Sequence, residues 1–171
     1  MEKNYDAIIP TPFGAVGICA QDDFLTEVNL LNTATAEKLS PQAFVQNIAN
    51  QLNQYFRDPY TSLDVPFVVK GTAFQKRVWQ AIAAIPCGQT LTYGELAAKI
   101  GSGPRAVANV CGANSVPLII PCHRVVAKNG LGGFNQGKDK KSLAVKQWLL
   151  SHEKNALESE GSPEPSQSSA A

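Results

Sequence analysis

The chain has 171 residues, of which 44% are hydrophobic and 17% charged, and its formal net charge is +1. This length suffices for a buried core and for one or two small domains. The four cysteines form no CxxC pair and the two histidines are too few for a finger-type zinc site, which argues against a disulfide framework and a structural metal. The first residues lack the pattern of a signal peptide and no stretch approaches about 18 apolar residues, so we expect a soluble, cytoplasmic protein.

The charges are unevenly distributed along the chain. Residues 1–69 carry a net charge of −5, residues 70–153 carry +8 and residues 154–171 carry −2. A basic block favours a polyanionic partner such as nucleic acid, although a solvated lysine-rich surface would have the same composition. The last segment is rich in serine, proline and glutamate and cannot offset the entropy of ordering. We therefore predict two folded domains followed by a disordered tail.

The amino-terminal domain has the pattern of a small α/β unit. Two apolar segments, 15–20 and 24–31, flank a polar turn and predict a β-hairpin. Ser40 followed by Pro41 predicts the start of a helix, because apolar residues then recur at helical spacing. Residues 65–69 predict a further strand. The acidic residues of this domain are scattered and indicate a solvated face rather than a catalytic site.

Two capping boxes open helices in the basic block. Thr72 with Gln75 predicts one helix start, and Thr92 with Glu95 predicts the next. The second of these helices is predicted to end at Gly101.

A third helix is predicted to open at Pro104, directly after a short glycine turn. Two helices joined in this way indicate a helix-turn-helix, although any corner between two helices has the same pattern. The third helix has Arg105 followed mostly by alanine, valine and glycine. Minor-groove binders insert a wedge side chain into the base stack, so Arg105 is a candidate wedge; alternatively, the small residues pack against a neighbouring helix.

An apolar segment, predicted to be a buried strand, leads to Cys122 and the adjacent His123. A free cysteine is only partly ionised near neutral pH, and a neighbouring imidazole raises the thiolate fraction. The pair therefore predicts an activated nucleophile, with an inert core thiol as the alternative. The other three cysteines are interpreted as core or turn thiols, and they are Cys19, Cys87 and Cys111.

The order of these features resembles the O6-alkylguanine-DNA alkyltransferases, also called methylated-DNA-protein-cysteine methyltransferases. The resemblance covers residues 71–153, and its most specific part is the Ile-Pro-Cys-His-Arg-Val stretch at 120–125. It implies a ribonuclease-H-like α/β domain followed by a mainly α winged helix-turn-helix domain.

The resemblance also implies a role for each residue of a reactive site. Cys122 would accept the alkyl group, His123 would act as a base through a water molecule, and Glu153 would orient that histidine. Asn114 would brace the turn around the cysteine. Tyr93 would rotate a backbone phosphate and donate a proton to the leaving guanine.

DNA contacts and a base pocket follow from the same resemblance. Arg105 would fill the space that the flipped base vacates, and further DNA contacts would come from Tyr93, Gly94, Gln75 and Lys128. The base pocket would have Val125 as its floor and a wall formed by Gly132, Phe134 and Asn135.

The implied activity is direct reversal of DNA damage. An alkyl group on O6 of guanine, or on O4 of thymine, is displaced from a saturated carbon by a thiolate, and this step requires neither metal nor cofactor. The damaged base lies within double-stranded DNA, so it must be flipped out. The resulting thioether has no hydrolysable bond, which makes the protein a single-use reagent, expected to be a monomer.

The sequence leaves open the role of one segment and the functional class of the protein. Residues 138–142 resemble an insertion before the last helix, predicted over 143–152, which adds phosphate contacts or caps the helix through Ser142. A cysteine hydrolase using Cys122 and His123, with Asn114 as the orienting group, is a second functional class. A winged-helix DNA-binding module without chemistry is the third.

Overall fold

The computed structural model describes residues 3–133 and 140–161. Its amino-terminal part contains a three-stranded antiparallel sheet of β1 (Ala7–Thr11), β2 (Gly14–Gln21) and β3 (Phe24–Leu31), in that order. Because the sheet carries its largest apolar residues on one face, it needs a covering layer, which the helices supply.

The predicted hairpin between β2 and β3 is confirmed. Asp22 and Asp23 at its tip have φ angles of 54° and 61°, the left-handed geometry of a two-residue turn whose twist matches that of the strands. The sequence pattern did not predict β1, because Pro10 interrupts its apolar alternation. Proline is tolerated there since β1 is an edge strand.

The first helix, α1 (Ala43–Arg57), starts later than predicted. Its N-cap is Gln42, so the predicted start at Ser40 and Pro41 is wrong. The Ser40 hydroxyl accepts a hydrogen bond from the backbone N–H of Gln42 at 3.1 Å, and the Ser-Pro pair forms a turn in front of the helix. The buried face of α1 consists of Val45, Ile48, Leu52 and Tyr55.

The strand predicted over 65–69 is wrong. Phe67 forms a single bridge to Leu25, whose backbone N–H donates to the carbonyl of Pro66 and whose carbonyl accepts from Val68, both at 2.9 Å. Proline has no N–H with which to continue a ladder, so the pairing stops there.

The three helices predicted in the basic block are confirmed as α2 (Ala73–Ala83), α3 (Tyr93–Ile100) and α4 (Pro104–Gly112). Both capping boxes are complete, with the hydroxyls of Thr72 and Thr92 each accepting from the third backbone N–H of the helix that follows. These caps satisfy amide groups that would otherwise lack partners.

Helix α3 ends at Gly101, whose φ of 70° allows the chain to turn sharply into α4. Ahead of α3, the two-residue strand β4 (Leu91–Thr92) pairs in parallel with β5 (Val125–Val126). This pairing brings the start of α3 next to the residues that follow Cys122.

The apolar segment before Cys122 is not a strand, so that prediction is wrong. It forms a tight loop in which Pro117 bridges to Ile120 and Leu118 has a φ of 79°, and it leads into a short 3-10 helix (Cys122–Arg124). Proline at 117 and the left-handed residue both prevent an extended ladder.

The last helix, α5 (Lys140–Gly161), extends beyond both predicted ends. Ser142 lies within its first turn instead of capping it. Residues 154–161, assigned to the tail from composition, continue the helix because they include lysine, alanine, leucine and glutamate, which favour helix. The rest of the predicted tail, 162–171, lies outside the described residues.

Helix α5 joins the two parts of the protein. Trp148 packs edge-on against Phe13 at 5.5 Å between ring centroids, and lies 6.0 Å from Phe56. On the other side of the junction, the backbone N–H of Val28 in β3 donates to the carbonyl of Ser115 at 2.9 Å. Among the residues that the structure describes, no helix is both long and apolar enough to cross a membrane.

Candidate active site

Cys122 lies at the start of the 3-10 helix with only 6% of its surface exposed. Asn114, just after α4, donates from Nδ2 to the Cys122 sulfur at 3.1 Å and to the carbonyl of Ile120 at 2.8 Å. Its Oδ1 accepts from the backbone N–H of Val116 at 2.9 Å. The loop thus fixes the amide in one orientation, with a donor aimed at the sulfur.

A second thiol, that of Cys111 on α4, interacts with the Cys122 thiol. This neighbour and burial raise the pKa of the Cys122 thiol, whereas Asn114 and Lys146 lower it. The raised pKa prevails, so the resting sulfur keeps its proton. A reaction that needs the thiolate therefore needs a base nearby.

His123 and Glu153 form a buried pair, each with 1% of its surface exposed. His123 Nε2 lies 2.8 Å from Glu153 Oε2. Burial lowers the pKa of His123, and the hydrogen bond to Glu153 offsets this only in part. The imidazole is thus neutral near pH 7, donates Nε2–H to the carboxylate and keeps Nδ1 free to take a proton.

Arg124 completes the environment of the carboxylate. Its Nε donates to Glu153 Oε1 and its Nη2 to Oε2, both at 2.9 Å, while Nη1 donates to the carbonyl of Ile85 at 2.7 Å. Although burial raises it, the hydrogen bonds from His123 and Arg124 hold the pKa of the Glu153 carboxyl well below its usual range. The carboxylate therefore stays ionised and orients the imidazole without taking its proton.

Lys146 of α5 is fully buried and donates to three backbone carbonyls, those of Val125 at 2.8 Å, Leu131 at 2.5 Å and Gly133 at 3.0 Å. Burial lowers the pKa of Lys146 to about 8. Its ammonium group ties the loop after Cys122 to α5 and places a positive charge near the sulfur.

Tyr93, the first residue of α3, lies against the same loop. Its ring centroid is 5.8 Å from Lys146 Nζ. Burial raises the pKa of Tyr93 to about 12, so the phenol keeps its proton. A Cβ atom on Gly132 would lie 2.8 Å from the Tyr93 ring, and φ there is 76°, so only glycine fits this approach.

The structure places the remaining predicted site residues at different depths. Val125 is fully buried in β5, whereas Arg105, Gly94 and Lys128 are exposed. The Gln75 side chain is occupied in the capping box of α2, where its Oε1 accepts from Thr72 N–H at 2.9 Å. Two predicted pocket residues, Phe134 and Asn135, lie outside the described residues.

The packing of α4 accounts for its small residues. Val107 and Val110 are buried, and the carbonyl of Val110 accepts from Trp79 Nε1 of α2 at 3.1 Å. Arg105, at the second position of the helix, remains exposed. The helix therefore both packs on its neighbour and presents the arginine.

Sequence reasoning missed three residues that touch this site, namely Tyr55, Arg124 and Lys146. For Lys146 the sequence does carry a signal. Lys146, Leu149 and Glu153 have helical spacing and lie on one buried face of α5, and charged residues on a buried face indicate a functional site. Within the described ranges, no cluster of three or more histidine, cysteine, aspartate or glutamate residues can hold a metal ion.

Comparison with known proteins gives one consistent family. The model of the 6-O-methylguanine DNA methyltransferase DNA-binding domain matches residues 73–155. A probable methylated-DNA–protein-cysteine methyltransferase of Acanthamoeba polyphaga mimivirus is 43% identical over 152 residues, which cover 86% of this chain and 95% of that protein. A methylated-DNA–protein-cysteine methyltransferase of Methanosarcina mazei is 36% identical over 162 residues, which cover 90% and 99% of the two chains.

Solved structures agree with the sequence relatives. The crystal structure of Mycobacterium tuberculosis O6-methylguanine methyltransferase superposes with a TM-score of 0.72 at 33% identity, covering 87% of this chain and 92% of that one. The structure of the Mycobacterium tuberculosis protein in complex with DNA gives 0.71 at 35% identity, with the same coverage.

Proposed function

The chain belongs to the family of methylated-DNA–protein-cysteine methyltransferases, and on that premise we propose that it repairs DNA by moving the alkyl group of O6-alkylguanine onto Cys122. The observation that carries this proposal is a buried sulfur held by Asn114 beside the neutral His123–Glu153 pair. An S–C bond forms, the C–O6 bond breaks, and guanine leaves with the bonding electrons.

The thiolate is generated at the moment of reaction. His123 Nδ1 takes the Cys122 proton through a water molecule, and Glu153 stabilises the imidazolium that results. Asn114 Nδ2 and the Lys146 ammonium group stabilise the negative sulfur. The same two groups hold the loop around the sulfur, so the nucleophile is in position before the base arrives.

The leaving guanine needs a proton. The Tyr93 phenol keeps its proton and lies at the loop that Lys146 fixes, so it is the donor for the departing base. Gly132 lets this loop approach the tyrosine, and Val125 forms the floor of the base pocket. Phe134 and Asn135 would complete the wall.

The DNA partner is a duplex containing the alkylated base. Helices α3 and α4 act as a helix-turn-helix, with the β4–β5 pair as part of a wing and a ribonuclease-H-like amino-terminal domain behind them. The damaged nucleotide is flipped into the pocket, and Arg105 fills the stack. Gly94, Gln75 and Lys128 contact the DNA, O4-methylthymine is a second substrate, and the protein acts as a monomer.

The experiment that tests this function is a titration of a duplex containing O6-methylguanine with the protein. Because a thioether is not hydrolysed, the yield of repaired guanine should rise linearly to one equivalent per protein and then stop. Turnover beyond one equivalent would indicate a hydrolase. Tight binding with no repaired guanine would indicate a DNA-binding module.

A further inference from the structure

A side chain from the amino-terminal part of the protein reaches the carboxylate of the reactive site. The Tyr55 hydroxyl, on α1, donates to Glu153 Oε2 at 2.6 Å across 98 residues of sequence. Tyr55 is 2% exposed and Glu153 1%, so this hydrogen bond is shielded from water. Such bonds to a carboxylate are short and strong.

Glu153 Oε2 carries three donors, because His123 Nε2 at 2.8 Å and Arg124 Nη2 at 2.9 Å approach the same oxygen. The histidine and the arginine are sequence neighbours on the 3-10 helix. Tyr55 approaches from another element, so it restricts a motion of the carboxylate that these two alone would permit.

Tyr55 is itself fixed against α5. Its backbone carbonyl accepts from His152 Nε2 at 2.8 Å, and its ring lies edge-on to that imidazole at 5.4 Å between centroids. The main chain and the side chain of Tyr55 thus contact two successive residues of α5, His152 and Glu153. The hydroxyl does not ionise, because burial and the Glu153 charge raise the pKa of Tyr55 well above its usual range.

We propose that Tyr55 is a positioning residue for the alkyl-transfer reaction: its hydroxyl fixes the Glu153 carboxylate, which in turn orients His123. This inference rests on the proposed function of Cys122 as alkyl acceptor. Tyr55 touches no reacting atom and acts through Glu153 alone. The amino-terminal domain thereby contributes one hydrogen bond to a site that otherwise lies in the basic block.

The donor also sets how strongly the carboxylate attracts the imidazole proton. A hydroxyl that occupies a lone pair of Oε2 lowers the basicity of that oxygen, which keeps His123 neutral and able to act as a base. Without the Tyr55 hydroxyl, the hydrogen bond that His123 donates to Glu153 strengthens, and the pKa of His123 rises. The charged and titratable groups that interact with His123 or Tyr55 are Glu153, Arg124, Lys146 and Cys87. Burial raises the pKa of Cys87 to about 11, so that thiol stays neutral.

The test is Tyr55→Phe, which removes one oxygen atom and keeps the ring. The chain has two histidines, so the imidazole signal of His123 can be followed by NMR as pH changes. We expect its titration to move upward by about 0.5–1 pH unit. Methyl transfer should slow by about 3–10-fold at pH values well below the pKa of His123 and recover as pH rises, because more of the variant's His123 is then neutral.

The matched control is Tyr5→Phe. The Tyr5 hydroxyl accepts from Asn29 Nδ2 at 2.8 Å in the same amino-terminal part, away from Glu153. This variant should keep both the His123 titration and the pH profile of the parent protein.

Coincident titration curves and pH profiles for Tyr55→Phe and the parent would overturn the proposal, and so would a slower rate with an unchanged profile. Should Tyr55→Phe fail to fold, site-specific 3-fluorotyrosine at position 55 gives a stronger donor, and the His123 titration should then move downward; no movement would also overturn the proposal. If the parent protein transferred no alkyl group, the proposed function would fail, while the His123 titration would still decide the role of Tyr55.

Discussion

The two parts of the molecule bury different kinds of residue. In the described residues up to 69, the interior is apolar apart from Ser40 and the hydroxyl of Tyr55. In the basic part, the interior contains His123, Lys146 and Glu153, all with 1% or less of their surface exposed. A buried charge is costly unless it is paired or bonded, so its presence points to chemistry.

The buried charges of the reactive part carry a desolvation cost that an apolar interior does not. The carbonyl groups around Lys146 and the hydrogen-bond donors around Glu153 stabilise the charges of these two side chains in the interior. The described residues of the amino-terminal part bury no such charge; they contribute apolar packing and the Tyr55 hydroxyl. Changes at single residues and in solution conditions test this contrast.

The largest effect is expected from Cys122→Ala. It should abolish methyl transfer, because no other thiol is aligned with both Asn114 and the His123–Glu153 pair. Affinity for duplex DNA should change by less than about threefold, since phosphate contacts dominate binding. The control is Cys19→Ala in the amino-terminal sheet, which should keep full transfer. Residual transfer by Cys122→Ala would contradict the assignment.

The second prediction contrasts a buried ion pair with an exposed one. Glu153→Gln leaves Arg124 with a buried, uncompensated charge and should lower the free energy of unfolding by about 3–5 kcal/mol. Glu27 pairs with Lys3 at 2.7 Å on the surface of the amino-terminal part. Glu27→Gln should leave the free energy of unfolding unchanged within error in a denaturant titration.

The same pair gives a pH dependence. The folded state depresses the pKa of Glu153, so its stabilising contribution is fully present above the usual carboxyl pKa of 4.5 and is lost as pH falls below it. The parent protein should therefore lose stability more steeply below pH 4.5 than Glu153→Gln does. Parallel acid curves for the two proteins would show that the carboxylate is not stabilised as described.

The third prediction concerns Arg105, which is exposed at the start of α4. Arg105→Ala should slow repair of duplex DNA by about tenfold or more, because flipping a base costs a few kcal/mol that the arginine offsets. Reaction with free O6-methylguanine or its benzyl analogue should be unchanged. The control is Lys70→Ala, at the boundary of the two parts, which should not show this difference between duplex DNA and the free base. Equal losses on both substrates would count against insertion into the stack.

Salt tests the basic block as a whole and not a single side chain. If the +8 block neutralises about three to five phosphates, log affinity should fall with log salt at a slope of roughly −3 to −5 on duplex DNA. The reaction with the free base should not respond to salt. Binding that is indifferent to salt would exclude the basic block as the DNA-contacting surface.

Local signals predicted the helices of the reactive part. The boxes at Thr72 and Thr92 and the glycine at 101 specify helix ends by hydrogen bonds within a few residues, and all three are present in the structure. The residue types of the Cys122–His123 pair indicate a nucleophile, whereas Asn114 and Glu153 follow from the family resemblance. In the structure, Asn114 contacts the Cys122 sulfur and Glu153 contacts His123.

Long-range contacts could not be predicted in the same way. Tyr55 has the spacing of an ordinary buried residue of α1, and only the tertiary structure shows that its hydroxyl meets Glu153. The loop before Cys122 has the apolar composition of a strand, but the left-handed Leu118 and the Asn114 amide give it another shape. In both cases, tertiary hydrogen bonds override the local pattern.

The proposed alkyl acceptor is the sulfur of Cys122, and not that of its neighbour Cys111. Mass spectrometry of peptides from the protein, after reaction with a duplex carrying O6-methylguanine, tests it most directly. Cys111 and Cys122 are separated by Arg-free and Lys-free sequence, so fragmentation within one tryptic peptide must distinguish them. We predict a single added methyl group located at Cys122. A methyl group at Cys111, or at Cys19 or Cys87, would contradict the account.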